Sequence, residues 1–311
     1  MRKINISGGL NVSAIALGAM NFGTSTSKDD AYKVLDAYLD YGGNFIDTSN
    51  NYAHWQGTGD ESETLLGEWF KKSGKRERVV LATKVGFDRH GEGAGLKKEQ
   101  IEFWVDQSLK KLSTDYIDLY YAHTDDIRTP IEETMEAFDR LVKKGKVRVL
   151  GASNFDTWRF AESNMLADQK SLTPYTVAQQ KFTYLHPKFS AAPKYLFNES
   201  VNRERLRFLS QKGIPLVAYS CLCKGGYDDC SRLPQEYEMG GRYETILRFA
   251  KEKGVSVSAA VIAYLMNLHT VENHPEVIPL FSSGIKHLAE NMRALDIVLT
   301  KEEMEYLYYA D

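Results

Sequence analysis

Residues 44–55 read NFIDTSNNYAHW, a short apolar run that ends in Asp47 and is followed five residues later by Tyr52. A brief run with an aromatic and a β-branched residue predicts a β-strand. The strand therefore delivers an acid at its end and a phenol just beyond it. Taken alone, Asp47 could cap the following loop and Tyr52 could be a packed aromatic, so the other strands must decide what the pair means.

Runs of the same kind recur along the chain and alternate with helical patterns. Eight of them predict strands: SAIALGAM, NFIDTS, RVVLATKVG, DYIDLYYAH, VRVLGASN, TVAQQKF, PLVAYS and VIPLFS. Between them apolar residues recur at helical spacing, as in residues 29–41 and 97–112. Strict alternation of this length favours parallel strands in an α/β fold, and eight units close most naturally as a (β/α)8 TIM barrel.

The segment ahead of these runs has a different pattern. Residues 2–16, with Gly8 and Gly9 between RKINIS and NVSAIAL, predict an N-terminal β-hairpin. A doubly wound dinucleotide-binding fold would need G-x-G-x-x-G after an early strand, and none occurs there. No linker or change of composition divides the chain, so residues 1–311 are expected to form a single domain. Residues 183–199 and 222–240 are expected to be elaborated, functional loops.

Composition restricts the partners that the protein can have. The formal net charge of −3, with lysine and arginine scattered along the chain, provides no electrostatic reason to expect nucleic acid or a membrane. No apolar stretch follows the first residues as in a signal peptide, so a cytoplasmic location is expected. The spacing of Cys221, Cys223 and Cys230 fits neither a zinc motif nor a disulfide framework. Reduced thiols and no metal site are therefore expected.

Polar side chains stand at the carboxyl ends of the predicted strands, the barrel mouth, where barrels of this kind build their chemistry. Besides Asp47 and Tyr52, Lys84 lies in LATKVG and His123 ends YYAH. A buried, unpaired lysine is costly, so Lys84 needs a carboxylate or a polar pocket beside it. His123 alone would more often be a structural histidine. Together the four suit one task, in which a phenol made more acidic by an ammonium protonates a carbonyl oxygen. The imidazole would orient that carbonyl or polarise it.

At this point the chain resembles the aldo-keto reductase family over essentially its full length. The matching segments, in the family's order, are FIDTSNNY, SETLLGEW, LATKVG, DYIDLYYAH, GKVRVLGASNF, VAYSCL and HLAENMRALD. The resemblance implies that Tyr52 is a general acid, that Lys84 and Asp47 tune it, and that His123 sets the orientation of the substrate. It also implies a nicotinamide cofactor across the barrel mouth.

The resemblance further implies which residues hold the two inner parts of that cofactor. Those at the nicotinamide and the pyrophosphate are Ser153, Asn154, Gln179, Tyr219, Ser220 and Leu222. The first three would bond the carboxamide, Tyr219 would stack on the ring, and the last two would approach the phosphates. Gln180 follows Gln179 directly, so that assignment stays open by one residue.

At the adenine end the resemblance is less complete. The residues it implies there are Ser282, Ser283, His287, Glu290 and Asn291. The family often places a lysine and an arginine on the ribose 2′-phosphate, whereas this chain has Phe281 and His287 at the matching positions. The resemblance therefore favours NADPH, and NADH stays an open alternative.

The expected activity is reduction of an aldehyde or ketone to an alcohol, with a small carbonyl compound as the substrate. Phe22, Trp55 and Phe87 are candidate pocket walls, and polar neighbours of Trp55 suit a sugar-derived carbonyl compound, although a promiscuous site for small aldehydes fits equally well. The main alternative is a cofactor-binding regulatory subunit that senses redox state with little turnover. A barrel isomerase or lyase acting on sugars is a weaker one.

Overall fold

In the computed structural model, which describes residues 1–88, 94–188, 199–282 and 284–311, the chain begins with an antiparallel hairpin. Its strands are β1 (Lys3–Ser7) and β2 (Leu10–Ser13). Gly8 and Gly9 make the turn with φ of 53° and 85°, values that favour glycine. The predicted N-terminal hairpin is confirmed.

Eight parallel strands then close into a barrel. They are β3 (Ala16–Gly18), β4 (Phe45–Asp47), β5 (Val80–Val85), β6 (Ile117–Ala122), β7 (Val147–Ser153), β8 (Tyr175–Lys181), β9 (Leu216–Tyr219) and β10 (Val277–Phe281). Strands that are consecutive in sequence are neighbours in the sheet, and β10 pairs with β3 to close the ring. Each strand coincides with one of the eight apolar runs, which confirms the α/β class and the (β/α)8 barrel.

Helices surround the barrel. Within the described ranges they are α1 (Lys28–Asp40), α2 (Glu61–Ser73), α3 (Lys98–Leu112), α4 (Ile131–Lys143), α5 (Thr157–Lys170), α6 (Arg203–Lys212), α7 (Gly241–Lys253), α8 (Val257–Asn267), α9 (Ile285–Met292) and α10 (Lys301–Tyr308). The patterns at 29–41 and 97–112 correspond to α1 and α3. Ser27 caps α1, because its hydroxyl accepts the Asp30 N–H at 3.2 Å.

The interval between β9 and β10 holds two helices, α7 and α8, which explains why it is longer than the others. α8 is apolar on every side and buried over residues 258–266, since α7, α9 and β10 all pack on it. A helix covered all round shows no amphipathic period. No helix in the described part of the chain is long and apolar enough to cross a membrane.

The strand register determines which side chains face the barrel interior. Lys84 of β5 pairs with Tyr121 of β6, and Tyr121 pairs with Gly151 of β7. Paired residues point to the same face of a sheet, and here that face is the interior. A Cβ on Gly151 would lie 2.5 Å from the Tyr121 ring, so glycine makes room for that ring. Lys84 is thus held inside the barrel with its ammonium 5.9 Å from the Tyr121 ring centre.

The two long loops predicted from the sequence follow β8 and β9. Residues 222–240 carry two short turns, Cys223–Gly225 and Cys230–Arg232. Of the stretch 183–199, residues 189–198 lie outside the described residues. The two loops are joined because the Lys181 ammonium bonds the Glu236 carboxylate and the Lys188 N–H donates to the Glu236 carbonyl at 2.8 Å.

Candidate active site

Asp47, Lys84 and Tyr52 form one hydrogen-bonded group at the barrel mouth. Asp47 ends β4, Lys84 lies near the end of β5, and Tyr52 follows in the loop after β4. The Lys84 ammonium donates to an Asp47 carboxylate oxygen, and to the Thr48 carbonyl and the Tyr52 hydroxyl oxygen at 2.7 Å each. The Tyr52 hydroxyl in turn donates to Asp47 at 3.2 Å. The acid, the ammonium and the phenol selected from the sequence therefore lie together.

Burial controls the protonation of this group. Burial lowers the pKa of the Lys84 ammonium, and the negative charges of Asp47 and Glu63 oppose that shift. Burial, followed by the Asp47 charge, raises the pKa of Tyr52 well above its ordinary value. The sequence predicts a phenol made more acidic by Lys84, whereas burial and the Asp47 charge act on the pKa in the opposite direction. Tyr52 therefore keeps its proton at neutral pH.

His123 directly follows β6 and lies at the same end of the barrel. Its ring packs edge-on against Phe87 at 4.5 Å and Tyr52 at 5.9 Å between ring centres. Its Nδ1 is 3.1 Å from the Ser49 hydroxyl oxygen. Burial, and then the Lys84 charge, lower the pKa of His123 well below its ordinary value. The imidazole is therefore neutral at neutral pH.

Ser49 and Asn51 belong to this site although the sequence does not single them out. Both are buried, and the Ser49 hydroxyl donates to Asn51 Oδ1 at 2.8 Å. The available signal is their position between Asp47 and Tyr52. Serine and asparagine are also the ordinary residues of turns, so only the contact with His123 distinguishes them.

Three of the residues predicted at the nicotinamide form a chain of hydrogen bonds beside His123. The Asn154 amide donates to the His123 carbonyl at 2.9 Å and to the Ser153 hydroxyl oxygen at 3.0 Å, while the Tyr219 hydroxyl donates to Asn154 Oδ1 at 2.7 Å. Asn154 has a φ of 58°, in the left-handed region that non-glycine residues rarely adopt. Such backbone strain is concentrated at functional sites.

Gln179 and Gln180 point in opposite directions from β8. Gln179 pairs with Ser153 in the register, and its amide donates to Asp47 Oδ2 at 2.9 Å. The Gln180 amide instead donates to the Glu199 carbonyl at 2.8 Å. Of the two glutamines, Gln179 is the one in the site, where it meets Asp47.

The segment after β9, which holds Ser220 and Leu222, is a tight turn. Ser220, Cys223 and Lys224 have φ of 54°, 49° and 56°, in the left-handed region. The Cys223 N–H donates to the Ser220 carbonyl at 3.0 Å, and the Gly225 N–H donates to the Leu222 carbonyl at 2.9 Å. The structure thus places the two residues predicted at the pyrophosphate together in this turn.

The residues predicted at the adenine end lie after β10. Ser282 directly follows that strand and is exposed, and His287 and Glu290 are exposed on α9. Asn291 is buried on the same helix. Ser283 lies outside the described residues.

The three predicted pocket aromatics have different surroundings. Trp55 is 55% exposed and packs edge-on against His54 at 5.2 Å, and Phe87 packs on His123. Phe22 is only 1% exposed and belongs to the apolar core. Phe87 thus contacts the site through His123 and Trp55 faces solvent, whereas Phe22 lies in the core.

The cysteines form no disulfide: Cys221 and Cys223 are buried thiols, and Cys230 is exposed. Burial raises the pKa of both buried thiols. Cys221 donates to the Leu280 carbonyl at 3.3 Å. In the part of the chain that the structure describes, no group of three or more histidine, cysteine, aspartate or glutamate side chains could hold a metal ion.

A parallel (β/α)8 barrel with a polar cluster at the carboxyl ends of its strands defines a barrel enzyme. The chain matches the Aldo/keto reductase family over residues 14–310, and it belongs to that family. It is therefore an NAD(P)H-dependent oxidoreductase that acts on carbonyl compounds.

Similar proteins cover nearly the whole chain. Aldo-keto reductase ausK of Emericella nidulans is 32% identical over 98% of this chain and 80% of its own length. Norsolorinic acid reductase stcV of the same organism is 31% identical over 95% and 77%, and aryl-alcohol dehydrogenase [NADP(+)] of Phanerodontia chrysosporium is 29% identical over 96% and 82%. A crystal structure of the thermostable aldo-keto reductase Tm1743 with the inhibitor epalrestat superimposes with a TM-score of 0.74 at 25% identity, covering 99% of both chains.

Proposed function

We propose that this protein reduces an aldehyde or a ketone to an alcohol by hydride transfer, with Tyr52 as the general acid. The observation that carries the proposal is the position of the Tyr52 hydroxyl, in the loop beyond β4 and 2.7 Å from the Lys84 ammonium. Its raised pKa keeps the proton on the phenol until a carbonyl oxygen gains negative charge. A general acid needs a bound proton, and it needs a neighbouring group that stabilises the conjugate base left after the proton is transferred.

Lys84, Asp47 and His123 support Tyr52 in different ways. Lys84 stabilises the phenolate that remains, because its ammonium already donates to the phenol oxygen. Asp47 keeps Lys84 charged against the cost of burial. His123 lies edge-on beside Tyr52 and sets the orientation of the substrate.

A bound nicotinamide cofactor supplies the hydride. The residues that would hold it are Ser153, Asn154, Gln179, Tyr219, Ser220, Leu222, Ser282, Ser283, His287, Glu290 and Asn291. We propose NADPH, with NADH as the alternative, and the NADP(+)-dependent relative supports this choice. Titration of both cofactors by fluorescence tests it, and clear preference for NADH would overturn it.

The substrate class proposed is a small aromatic carbonyl compound, with a sugar-derived aldehyde or ketone as the alternative. The names of two relatives, an aryl-alcohol dehydrogenase and norsolorinic acid reductase, support an aromatic substrate. The Phe87 ring, which packs on His123, and the exposed Trp55 ring are suitable surfaces for it. We further propose that residues 1–311 work as one domain, and the cytoplasmic location stays a prediction from the sequence.

Tyr52→Phe tests the central assignment. The variant keeps the ring and loses the acid, so carbonyl reduction is expected to fall at least ~10²-fold while NADPH still binds. The measurements are steady-state NADPH oxidation with a panel of aldehydes and keto-sugars, and a fluorescence titration of NADPH. Tyr41→Phe, at an exposed tyrosine that ends α1, is the matched control and should leave both unchanged.

Near-normal turnover in Tyr52→Phe would refute the role of Tyr52. If the unaltered protein binds NADPH but consumes none with any carbonyl compound, the regulatory-subunit alternative replaces the enzyme.

A further inference from the structure

Glu63 is a buried carboxylate to which the proposed reaction assigns no role. It lies in the first turn of α2, within the segment SETLLGEW, and its side chain is fully buried. The Thr83 hydroxyl donates to Glu63 Oε1 at 2.6 Å. Thr83 precedes Lys84 on β5, and neighbouring residues of a strand point to opposite faces. Glu63 therefore lies behind β5, on the side away from the barrel interior that holds Lys84.

The residue before Glu63 connects the same turn of α2 to Lys84. The hydroxyl oxygen of Ser62, which is also buried, is 2.7 Å from the Thr48 hydroxyl oxygen. The Thr48 carbonyl accepts from the Lys84 ammonium at 2.7 Å. The first turn of α2 therefore contacts both the residue that precedes Lys84 on its strand and a residue that bonds its ammonium.

The nearest cation does not cancel the negative charge at Glu63. Lys111 of α3 forms an ion pair with Asp60, and its ammonium is 3.8 Å from Glu63 Oε2, too far for a hydrogen bond. The three ionised groups carry two negative charges and one positive charge, so one negative charge is left over. Burial raises the pKa of Glu63, while the Lys111 charge and hydrogen bonds, first of all that from Thr83, lower it.

Few groups that face the Lys84 ammonium are negatively charged. Asp47 and Tyr52 bond it, and the Tyr121 ring centre is 5.9 Å from it. Burial raises the pKa of both phenols, which therefore keep their protons, and burial and Lys84 lower the pKa of His123, which is neutral. Among these groups only Asp47 is an anion at neutral pH. The charge of the buried ammonium therefore depends strongly on each carboxylate near it.

We propose that Glu63 is a positioning residue for the reduction, a second buried carboxylate that acts from the outer side of β5 and helps Asp47 to keep the Lys84 ammonium charged. The proposal rests on the proposed function, in which Lys84 stabilises the phenolate of Tyr52. Glu63 acts through Lys84 and has no contact with the reacting atoms. Its effect is therefore expected at alkaline pH, where Lys84 loses its proton.

Glu63→Gln tests the proposal without any turnover, because it removes the charge and keeps an oxygen that accepts from Thr83. Protein labelled with ¹³C in its lysines is titrated by nuclear magnetic resonance, and the Lys84 signal is assigned by its absence in Lys84→Met. We expect the midpoint of the Lys84 titration to be lower by about one pH unit in Glu63→Gln, the scale of a unit charge roughly 10 Å away inside a protein. An unchanged midpoint would overturn the proposal.

Two control variants separate the charge of Glu63 from its contact with β5. Glu68→Gln is the same substitution on the same helix, at a side chain that is 49% exposed, so water screens its charge and the Lys84 midpoint should not move. Thr83→Val removes the hydrogen bond to Glu63 and keeps the carboxylate, so the midpoint should again stay in place. A shift in Thr83→Val as large as that in Glu63→Gln would assign the effect to the packing of α2 on β5 and overturn the proposal.

A second pair of variants covers the case in which Glu63→Gln does not fold. Lys111→Met removes the ammonium that would otherwise lie beside the new glutamine. The double variant Glu63→Gln with Lys111→Met is compared with Lys111→Met alone, because these two proteins differ only at Glu63. The Lys84 midpoint should again be lower in the protein that lacks the carboxylate, and equal midpoints would overturn the proposal.

The pH profile of carbonyl reduction connects this charge to the reaction. In Glu63→Gln the alkaline limb of kcat/KM should move to lower pH by the same amount as the Lys84 midpoint, while kcat/KM near about pH 6 should stay within ~2-fold, because Lys84 is charged there in both proteins. An alkaline limb that stays in place while the midpoint moves would overturn the role in the reaction. Absence of turnover in the unaltered protein with both cofactors would refute the reduction itself, and the lysine titration would still decide the effect of Glu63 on Lys84.

Discussion

Asp47 and Asp118 are both buried carboxylates on barrel strands, and they lie at opposite ends of the barrel. Asp118, the second residue of β6, accepts from Arg76 and Arg148 at 2.8 Å each and from the Leu81 N–H at 3.0 Å. Asp47, the last residue of β4, accepts from Lys84, from Gln179 and from Tyr52. Each carboxylate is thus held by three donors, but the donors differ in kind.

The cluster around Asp118 is closed. Its cations are guanidinium groups, which stay charged in proteins, and they enclose the Tyr116 ring at 4.1 and 3.9 Å. Arg76 also donates to the Tyr116 and Val79 carbonyls at 2.9 Å each. Such a group at the amino ends of barrel strands stabilises the fold.

The cluster around Asp47 is open. Its cation is Lys84, whose pKa burial lowers, and its other partners include Tyr52, the general acid of the proposed function. The comparison indicates what separates a carboxylate that stabilises the fold from one that takes part in a reaction. The first is held by partners that stay charged, and the second by partners that can gain or lose a proton. Four predictions test it, in order of expected effect.

Asp118→Asn should have the largest effect, and on stability alone. Arg76, whose side chain is only 13% exposed, would keep a buried charge without its partner, so the free energy of unfolding should fall by about 3–5 kcal/mol. Urea denaturation measures it, and Asp115→Asn, at an exposed aspartate in the preceding turn, is the control. Reduction of carbonyl compounds per folded molecule should be unchanged. A variant that is stable but inactive would break the comparison.

Asp47→Asn combined with Lys84→Met should lower the activity strongly and leave the stability nearly unchanged. Activity is expected to fall ~10²-fold or more, because Tyr52 loses the group that stabilises its phenolate. Unfolding free energy should change by no more than ~1 kcal/mol, since both charges leave together and none remains buried alone. Parallel assays of NADPH oxidation and urea denaturation provide the measurement. Destabilisation as large as that of Asp118→Asn would contradict the distinction.

The pH dependence of stability should show the effect of the lowered pKa of His123. Below about pH 6.5 the unfolded chain protonates this histidine while the folded protein, with its lowered pKa, does not. The unfolded state then binds more protons, so stability falls as the pH drops, by up to about 1.4 kcal/mol per pH unit. His123→Gln should show a shallower loss between pH 7 and pH 5.5 in urea denaturation. Identical pH slopes would count against a buried neutral imidazole.

Arg148→Ala should have the smallest effect. The Arg148 side chain is 51% exposed, so water screens its pair with Asp118 and its loss should cost under ~1 kcal/mol of unfolding free energy. Arg76→Ala should cost clearly more, because Arg76 is the buried cation of the pair. Urea denaturation of both variants decides this, and equal losses would show that exposure does not rank the two arginines.

The barrel and the residues at its mouth were predictable because parallel strands bring their carboxyl ends to one place. Asp47, Lys84 and His123 each mark the end of an apolar run, so no knowledge of the register was needed to group them. Gln179 and Gln180 could not be separated in this way. The pairing of β8 with β7 was required to place Gln179 inside, opposite Ser153.

Contacts between residues that are far apart in the chain produce no local sequence pattern. Ser49 and His123 are 74 positions apart, and Arg76 and Asp118 are 42 apart. The direction of the pKa shift of Tyr52 could not be predicted either, because it depends on how deeply the phenol is buried. Burial and the Asp47 charge raise the pKa of Tyr52, and neither the depth of burial nor the contact with Asp47 can be read from the local sequence.

By itself the sequence determined the strand–helix alternation, the barrel class and the polar ends of its strands, because apolar runs and their punctuation are local properties of the chain. Only the tertiary structure decided which polar groups share hydrogen bonds and how deeply each of them is buried. Those outcomes depend on the strand register and on the loop after β4, where Ser49 contacts His123 and Tyr52 contacts Lys84.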